Sequence, residues 1–349
     1  MAINVLGIDI GSYAAKVITL DHIKSGRANL AGLGMAQLPM ALILNWEEEP
    51  APAKTAISQA MKNLVARLRL NGKYVSTSVS GDSIVVKKIN MPLMNPAELK
   101  GAIIGEAEQY IPFSINEVNL SYHVLGQNQM ENQMTVLLVA ARKQVVQNYM
   151  ETMAVAKLKP AVIDVDGLAL CNAYEFVYPD SQEDVILVDI GANMINIIVL
   201  DQGSPVVIKD EPGGGQYLTD ELGNLFDLGQ DEAEAIKFGS EAAPNPGEAA
   251  EVVDRAVASW IAAVERVMDA ARAEIAAYKA KKIFLSGGSS LITGLPAEFE
   301  KYFNLETRLF NPLLSVNFNP KKYDQEYINY IGPQMAVSFG LALRRVEVQ

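Results

Sequence analysis

Two aspartates stand at equivalent points of the chain, each ending an apolar run and each followed two residues later by a glycine. Asp9 and Gly11 belong to V-L-G-I-D-I-G-S-Y-A-A-K-V-I-T-L-D from Val5 to Asp21, and Asp189 and Gly191 to V-I-L-V-D-I-G-A-N-M-I-N-I-I-V-L-D from Val185 to Asp201. A carboxylate at a strand end can hold a hydrated Mg²⁺, an ion that binds through few carboxylates and keeps several of its waters. A glycine beside it lets the backbone approach a phosphate and aim N–H groups at it. Asp-x-Gly after a strand is also an ordinary hairpin turn, and short motifs match by chance. Two copies in register, with Ile10, Leu20 and Asp21 matching Ile190, Leu200 and Asp201, make chance a poor explanation.

The elements that position these residues follow from the pattern. Each copy reads as a buried strand, a tight turn at the glycine and a second β-branched strand. A third strand follows each, Asn29–Gln37 and Val206–Lys209, after turns at Ser25-Gly26 and Gln202-Gly203. Two such meanders facing each other would clamp a nucleotide, ATP with Mg²⁺, between two domains, with Asp9 and Asp189 holding the metal through water.

Three further segments fit a nucleotide and also admit plainer readings. Asp210–Gly215, D-E-P-G-G-G, is a glycine-rich turn before a helix starting near Tyr217; Gly213 and Gly214 either cradle phosphate or serve a loop needing positive φ. Ile283–Ser290, I-F-L-S-G-G-S-S, ends a buried strand in Gly287, Gly288 and Ser289, a second place for close backbone approach. Glu234 and Lys237, three apart on a helical face, either form a surface ion pair worth ~0.3–0.5 kcal/mol or meet the ribose and base.

Composition narrows the function. The chain has 349 residues, half of them apolar, enough for roughly two domains. Its net charge of −12 argues against nucleic acid and against docking on anionic lipid. The lone Cys171 permits no internal disulfide, and it reads as a core residue. His22 and His123 lie far apart and in no metal-ligand pattern. Met1–Gly11 lacks the features of a signal peptide, and no apolar run approaches the ~20 residues of a membrane helix. A cytoplasmic protein is expected, held at a membrane only by something else.

The two phosphate loops, an adenosine loop and two small-residue connecting helices, Asp166–Phe176 and Ile331–Arg345, resemble the actin, sugar-kinase and heat-shock-chaperone superfamily. From Leu6 to Arg345 the chain resembles the PilM family of type IV pilus assembly. That likeness rests on L-G-I-D-I-G-S at Leu6, E-A-E-Q-Y-I-P-F at Glu106, V-L-L-V-A-A-R-K at Val136 and K-P-A-V-I-D-V-D-G-L-A-L at Lys159. It continues in L-S-G-G at Leu285 and V-S-F-G-L-A-L-R at Val337. The resemblance implies an α/β, actin-like (ribonuclease H-like) two-domain ATP-binding fold with an FtsA/PilM-type inserted subdomain. The implied division is residues 1–81, 159–181 and 330–349 for the first core, 82–158 for the insert, 182–228 and 278–329 for the second core, and 229–277 for an upper helical part. FtsA carries an amphipathic membrane helix after a linker; here the chain stops at Arg345–Gln349, which favours PilM.

By the same resemblance, Asp9, Gly11, Ser12 and Lys16 form the first phosphate loop and Asp189, Gly191, Ala192 and Asn193 the second. Tyr13 and Ala14 depart from the family's small hydroxyl residues, while Lys16 keeps its basic residue. Asp166 is the candidate base, with slow turnover expected. The implied partner is the N-terminal cytoplasmic peptide of PilN, with pilus motor ATPases and other platform proteins as further partners.

Its groove is expected between the insert and the first large domain. Ile84–Lys88 is the expected wall, with Val85, Val86 and Lys87 on it, and Glu106, Tyr110 and Ile111 follow a capped helix announced by Asn95-Pro96-Ala97-Glu98. Tyr110 and Ile111 fit a peptide anchor and a subdomain core equally well. The helix Lys143–Lys157 is expected to bury Val146, Met150 and Met153. Met91–Met94 reads as core or adaptable surface, Trp260 in the helix Glu248–Lys279 as core or contact, and Trp46–Pro52 as a solvated loop before the helix Lys54–Leu70. A small-molecule kinase or ATPase, and a filament-forming protein, remain competing functions on the same fold.

Overall fold

In the computed structural model, which describes residues 2–24, 26–70, 72–275 and 277–347, the chain opens with β1 (Ala2–Asn4) and an antiparallel meander of β2 (Leu6–Ile10), β3 (Ala14–Lys24) and β4 (Arg27–Gln37). Ser25, in the expected turn, lies outside the described residues. A short α1 (Met40–Leu44) leads to α2 (Pro50–Arg67) and β5 (Tyr74–Val79), which pairs parallel to β2. The helix starts four residues before the expected Lys54 because Pro50 sits at its first turn, where a missing N–H costs nothing. The segment before it is no solvated loop. Trp46 is buried against Tyr149 at 4.4 Å between ring centroids, and the Glu47 carboxylate accepts from Ser83 Oγ.

The chain then builds a separate sheet from β6 (Ile84–Pro92), β7 (Val118–Asn128) and β8 (Gln133–Arg142), in the order β6-β8-β7, covered by α3 (Pro96–Ala107). Asn95 caps α3 through its side chain, and Glu98 returns a bond to the Asn95 N–H. Met91 lies in this sheet's core with Ile89, Leu99, Ile103 and Met134. Helix α4 (Lys143–Val155) returns to β9 (Lys159–Val165), which extends the first sheet to the order β4-β3-β2-β5-β9. The inner face of α4 differs from expectation. Val145, Asn148, Thr152 and Met153 are buried and Met150 is 43% exposed, because Thr152 O accepts from Ser58 of α2 and Thr152 Oγ1 donates to Asn148 O.

After α5 (Asp166–Val177) the plan repeats. β10 (Val185–Ile190), β11 (Met194–Asp201) and β12 (Ser204–Pro212) form the second meander; α6 (Gly215–Phe226), α7 (Gln230–Lys237) and α8 (Pro246–Glu274) precede β13 (Lys282–Ser286); α9 (Leu295–Phe303) precedes β14 (Glu306–Leu309). The second sheet, β12-β11-β10-β13-β14, has the order of the first. The repeat extends to register. Leu6 pairs Thr19 and Asp9 pairs Lys16, while Ile186 pairs Val199 and Asp189 pairs Asn196. Trp260 of α8 is buried in the core, and its indole N–H donates to Gly213 O at 2.7 Å. Burying side chains of this kind stabilises by about 1.5–3 kcal/mol each. Helix α8 ends at Glu274, short of the expected Lys279.

Last come α10 (Gln325–Ile331), the buried α11 (Ala336–Ala342) and β15 (Arg345–Glu347), which pairs with β1. Small residues let α11 cross α5 closely: a Cβ on Gly340 would overlap the Ala169 carbonyl. His22 and His123 are exposed, and Cys171 is half-buried with its thiol pushed up to about 12 by burial.

Candidate functional site

The two hairpin turns open onto one cleft of about 940 Å³, lined by Asp9, Gly11, Ser12, Lys16, Asp166, Asp189, Gly191, Ala192, Asn193, Glu234, Lys237, Gly288 and Ser289. The repeat thus brings most of the expected nucleotide residues together. The N–H groups of Gly11 and Gly191 close their own turns onto Ala14 O and Met194 O, at 3.1 and 2.9 Å. The N–H groups of Ser12, Tyr13, Ala192 and Asn193 have no backbone acceptor among the described residues.

Gly213 and Gly214 act differently from a phosphate cradle. Both N–H groups donate to Asn193 O at 3.1 Å, and Gly215 N–H donates to Gly191 O. A Cβ on Gly214 would lie 2.6 Å from Gly191 O, so these glycines let α6 begin directly behind the β10–β11 turn. Gly287, at φ +86°, packs against the backbone of Ile190. A Cβ on Gly288 would meet only Gln334 Oε1, at 3.9 Å, and would otherwise project into the cleft.

The carboxylates differ in environment. Asp9 pairs with Lys16 at 2.8 Å. Burial lowers the tendency of Lys16 to hold its proton, but Asp9, with Asp189 and Asp166, more than reverses this and leaves its pKa raised. Asp189 accepts from Ser286 Oγ at 2.7 Å; burial pushes its carboxyl up to about 6 against the pull of Lys16 and that bond. Asp166, at the start of α5, is pushed by burial and by Asp9 up to about 7. Across the cleft, Asp210 accepts from Asn196 Nδ2 and from the Gly81 N–H, tying β12 to the loop after β5.

Lys237 is buried, and its ammonium is fully engaged by Glu234 Oε1 (2.5 Å), Thr219 Oγ1 (2.9 Å) and Gly215 O (3.3 Å). Burial lowers its pKa in spite of Glu234. It fastens α6 to α7. The reading of the sequence missed Ser80, Trp46, Val145, Asn148, Tyr149 and Tyr330, which also line the cleft. Burial, then Asp166 and Asp9, raise the pKa of the Tyr149 phenol. The only signal for Tyr149 in the sequence was its position i+4 to Val145 on α4.

A second concavity of about 580 Å³ lies between the small sheet and the first large sheet. Val79, Leu120, Val139, Ala141, Val146, Met150 and Ile163 make it largely apolar, with Asn119, Ser121, Lys143, Gln144, Gln147 and Asp164 as polar or charged lining residues. Asp164 takes a two-pronged contact from Arg344. The residues expected to bind a peptide are not among its lining. Val86 and Lys87 sit on β6, which packs against β12, and Lys87 pairs with Glu274 of α8 at 2.7 Å. Val85 and Ile111 belong to the small sheet's own core, Glu106 accepts from Gln109, and Tyr110 is 40% exposed. The small sheet has two edges, β6 and β7, and the concavity takes its sheet residues from β7 and β8.

The family described as type IV pilus assembly protein PilM matches residues 7–346. A solved PilM-PilN type IV pilus biogenesis complex matches with a TM-score of 0.85 at 26% identity, over 98% of this chain and 98% of that one. The ethanolamine utilization protein EutJ from Carboxydothermus hydrogenoformans shares the fold, with a TM-score of 0.55 at 18% identity over 98% of this chain and 89% of that one. The cell division protein FtsA of Buchnera aphidicola subsp. Schizaphis graminum is 22% identical over 268 residues, 70% of this chain. The match spans 62% of that relative's length.

Proposed function

The chain belongs to the type IV pilus assembly protein PilM family, and we propose that it is an ATP-binding scaffold that captures the N-terminal cytoplasmic tail of a PilN partner. The observation that carries this reading is the match over nearly the whole chain to a protein solved in a PilM-PilN complex. The fold is the actin-like one expected from the sequence, with the small β6-β8-β7 sheet beside the first large sheet.

The cleft fits Mg-ATP. Its turns offer the N–H groups of Ser12, Tyr13, Ala192 and Asn193, and Gly288 leaves room that a side chain would fill. Asp9 and Asp189 would hold Mg²⁺ through water, Glu234 would accept from the ribose, and Gly287, Gly288 and Ser289 would lie along the nucleoside. When bound, the nucleotide would supply the phosphate charge for these N–H groups of both hairpins to meet. Asp166, poised near neutrality, is the residue placed to take a proton from water, and turnover on it is expected to be slow.

The tail occupies the groove between β7, α4 and β9. Its apolar floor suits apolar anchors, and the free edge of β7 suits backbone pairing with an extended segment. Among the described residues no helix is long and apolar enough to cross a membrane. On this reading the partner holds the protein at the cytoplasmic face of the inner membrane, where it links the platform to motor ATPases.

The test is fluorescence titration of the PilN N-terminal peptide from the same organism, beside calorimetry with Mg-ATP. Met150→Arg should abolish peptide binding and leave ATP affinity intact, while Asp9→Ala and Asp189→Ala should weaken Mg-ATP. Failure of the wild-type protein to bind the peptide would end the scaffold reading; equal peptide affinity for Met150→Arg would misplace the groove.

A further inference from the structure

Helices α2 and α4 end side by side, with Leu64, Leu68 and Leu70 in one core cluster with Met153, Ala156 and Leu158. Both ends are built the same way. Arg69 N–H donates to Ala66 O and Leu70 N–H to Val65 O, while Lys157 N–H donates to Ala154 O and Leu158 N–H to Met153 O. These are Schellman closures, whose left-handed position usually holds glycine. Here it holds Arg69 at φ +52° and Lys157 at φ +63°. The other left-handed non-glycine residues are His22, Asn132, Asp180, Gln202, Asp227 and Asn304, none with a long cationic side chain. A β-carbon is unfavourable in this conformation, so closing the helix is no reason for Arg or Lys. A cation does gain from the carbonyls at a helix C-terminus, but any position of the last turn would give it that.

The strands that start at this end bring two more cations. Lys159 N–H, at the start of β9, donates to Lys73 O at 2.7 Å, and its ammonium lies over the Tyr74 ring at 5.7 Å. Arg69, Lys73, Lys157 and Lys159 are all exposed. Residues 50–81 and 152–163 contain no Asp or Glu. Among the described residues no carboxylate pairs with any of the four; the nearest ion pair on these helices, Lys54 with Glu151, leaves them out. None of them lines either concavity.

We propose that this end of the first domain is an electrostatic docking face for the anionic phospholipid headgroups of a membrane surface. The net charge of −12 hides it, because charge elsewhere is spread over the whole chain. Exposed charges are screened beyond about 8 Å at physiological salt, so a surface facing this end meets the cations and little of the acidic remainder. Four cations from four chain segments, outside any pocket, suit a plane of many phosphates better than one small anion. An acidic protein would also want apolar anchors, and Val155 is the one large apolar side chain exposed in these two segments among the described residues. Docking of this kind does not depend on the peptide, although on the scaffold reading a membrane-held tail would bring the face to the bilayer.

The experiment sediments the full chain with phosphatidylcholine vesicles, with and without an equal part of phosphatidylglycerol, and with no peptide or nucleotide present. The protein should pellet with the anionic vesicles at low salt, stay in the supernatant with the neutral ones, and come off as the Debye length falls to about 3 Å near 1 M salt. Arg69→Gly with Lys157→Gly keeps both helix closures, so the unfolding temperature should not fall, while partitioning should weaken by about 25-fold, about fivefold for each lost cation. Lys73→Gln with Lys159→Gln should weaken it as much. Lys100→Gln with Lys301→Gln, an equal loss of charge on α3 and α9, should partition as the wild-type protein does. If the wild-type protein stays in the supernatant with anionic vesicles at low salt, lipid docking is refuted and the cations serve an acidic protein. If both double variants on this face partition like the wild-type protein, the face is refuted. Neither result bears on the peptide or the nucleotide, which the assay leaves out.

Discussion

Asp166 sits where its charge is costly, and replacing it by asparagine should stabilise the protein. Burial, then the neighbouring Asp9, raise its carboxyl from the ordinary 3.8 to about 7, with Ser78 and Ser80 opposing them. The unfolded chain releases this proton near 3.8, and the folded chain keeps it until about 7. Stability is therefore fully present below the lower value and is lost as pH rises through the upper one. At about 1.36 kcal/mol for each tenfold change, the loss is on the order of 1–2 kcal/mol at pH 5 and on the order of 4 kcal/mol above pH 8, before water entering the cleft softens it. Asparagine keeps the shape without the charge. In urea unfolding without nucleotide, Asp166→Asn should exceed the wild-type protein in stability by a margin that widens by roughly 2–3 kcal/mol from pH 5 to pH 8.5. Any slow ATP hydrolysis should fall in the same variant while Mg-ATP binding persists. A margin independent of pH, or a less stable variant at pH 8.5, would refute both the buried charge and its assigned cause.

Gly215→Ala should lower Mg-ATP affinity by about tenfold or more, because its Cβ would collide with Ser289 Oγ and push apart α6 and the Gly287–Ser290 turn; calorimetry reads this directly. Gly340→Ala should cost about 1–3 kcal/mol in urea unfolding, since its Cβ would overlap the Ala169 carbonyl where α11 crosses α5, with unaltered peptide affinity in whatever fraction stays folded.

The repeat was legible because it is written twice. A shared spacing of Asp, Gly and apolar residues dictated two hairpins whose pairings agree down to Leu6–Thr19 and Ile186–Val199. The start of α3 was legible for a local reason too, since a capping box uses residues three apart. What escaped depends on partners far along the chain. Asn148 and Thr152 are polar, so they do not register as an inner face, yet contacts with α2 bury them. Trp46 follows two exposed leucines and is buried by partners from elsewhere in the chain, Tyr149 of α4 among them. That the concavity beside the small sheet would be lined by β7 and β8 was not legible, because the order of strands in that sheet is not encoded locally. Nothing within Ile84–Lys88 says that β8 will pair between it and β7.

The charge of the cleft bears on why such a site would hold a nucleotide firmly and work on it slowly. Asp9, Asp82, Asp166, Asp189, Asp231, Glu47, Glu48 and Glu234 line it, against Lys16 and Lys237. Lys237 is enclosed by three protein acceptors and Lys16 is paired with Asp9, so neither ammonium is free to neutralise a phosphate. A polyphosphate entering these carboxylates gains by bringing a divalent cation with it, and by taking the N–H groups that the two turns leave unpaired. Rapid phosphoryl transfer asks for more, namely positive charge poised over the transferred group. The cleft answers with carboxylates, one of which keeps its proton to about pH 7. Such an arrangement rewards occupancy over turnover. Asp210 latches β12 to the loop at Gly81.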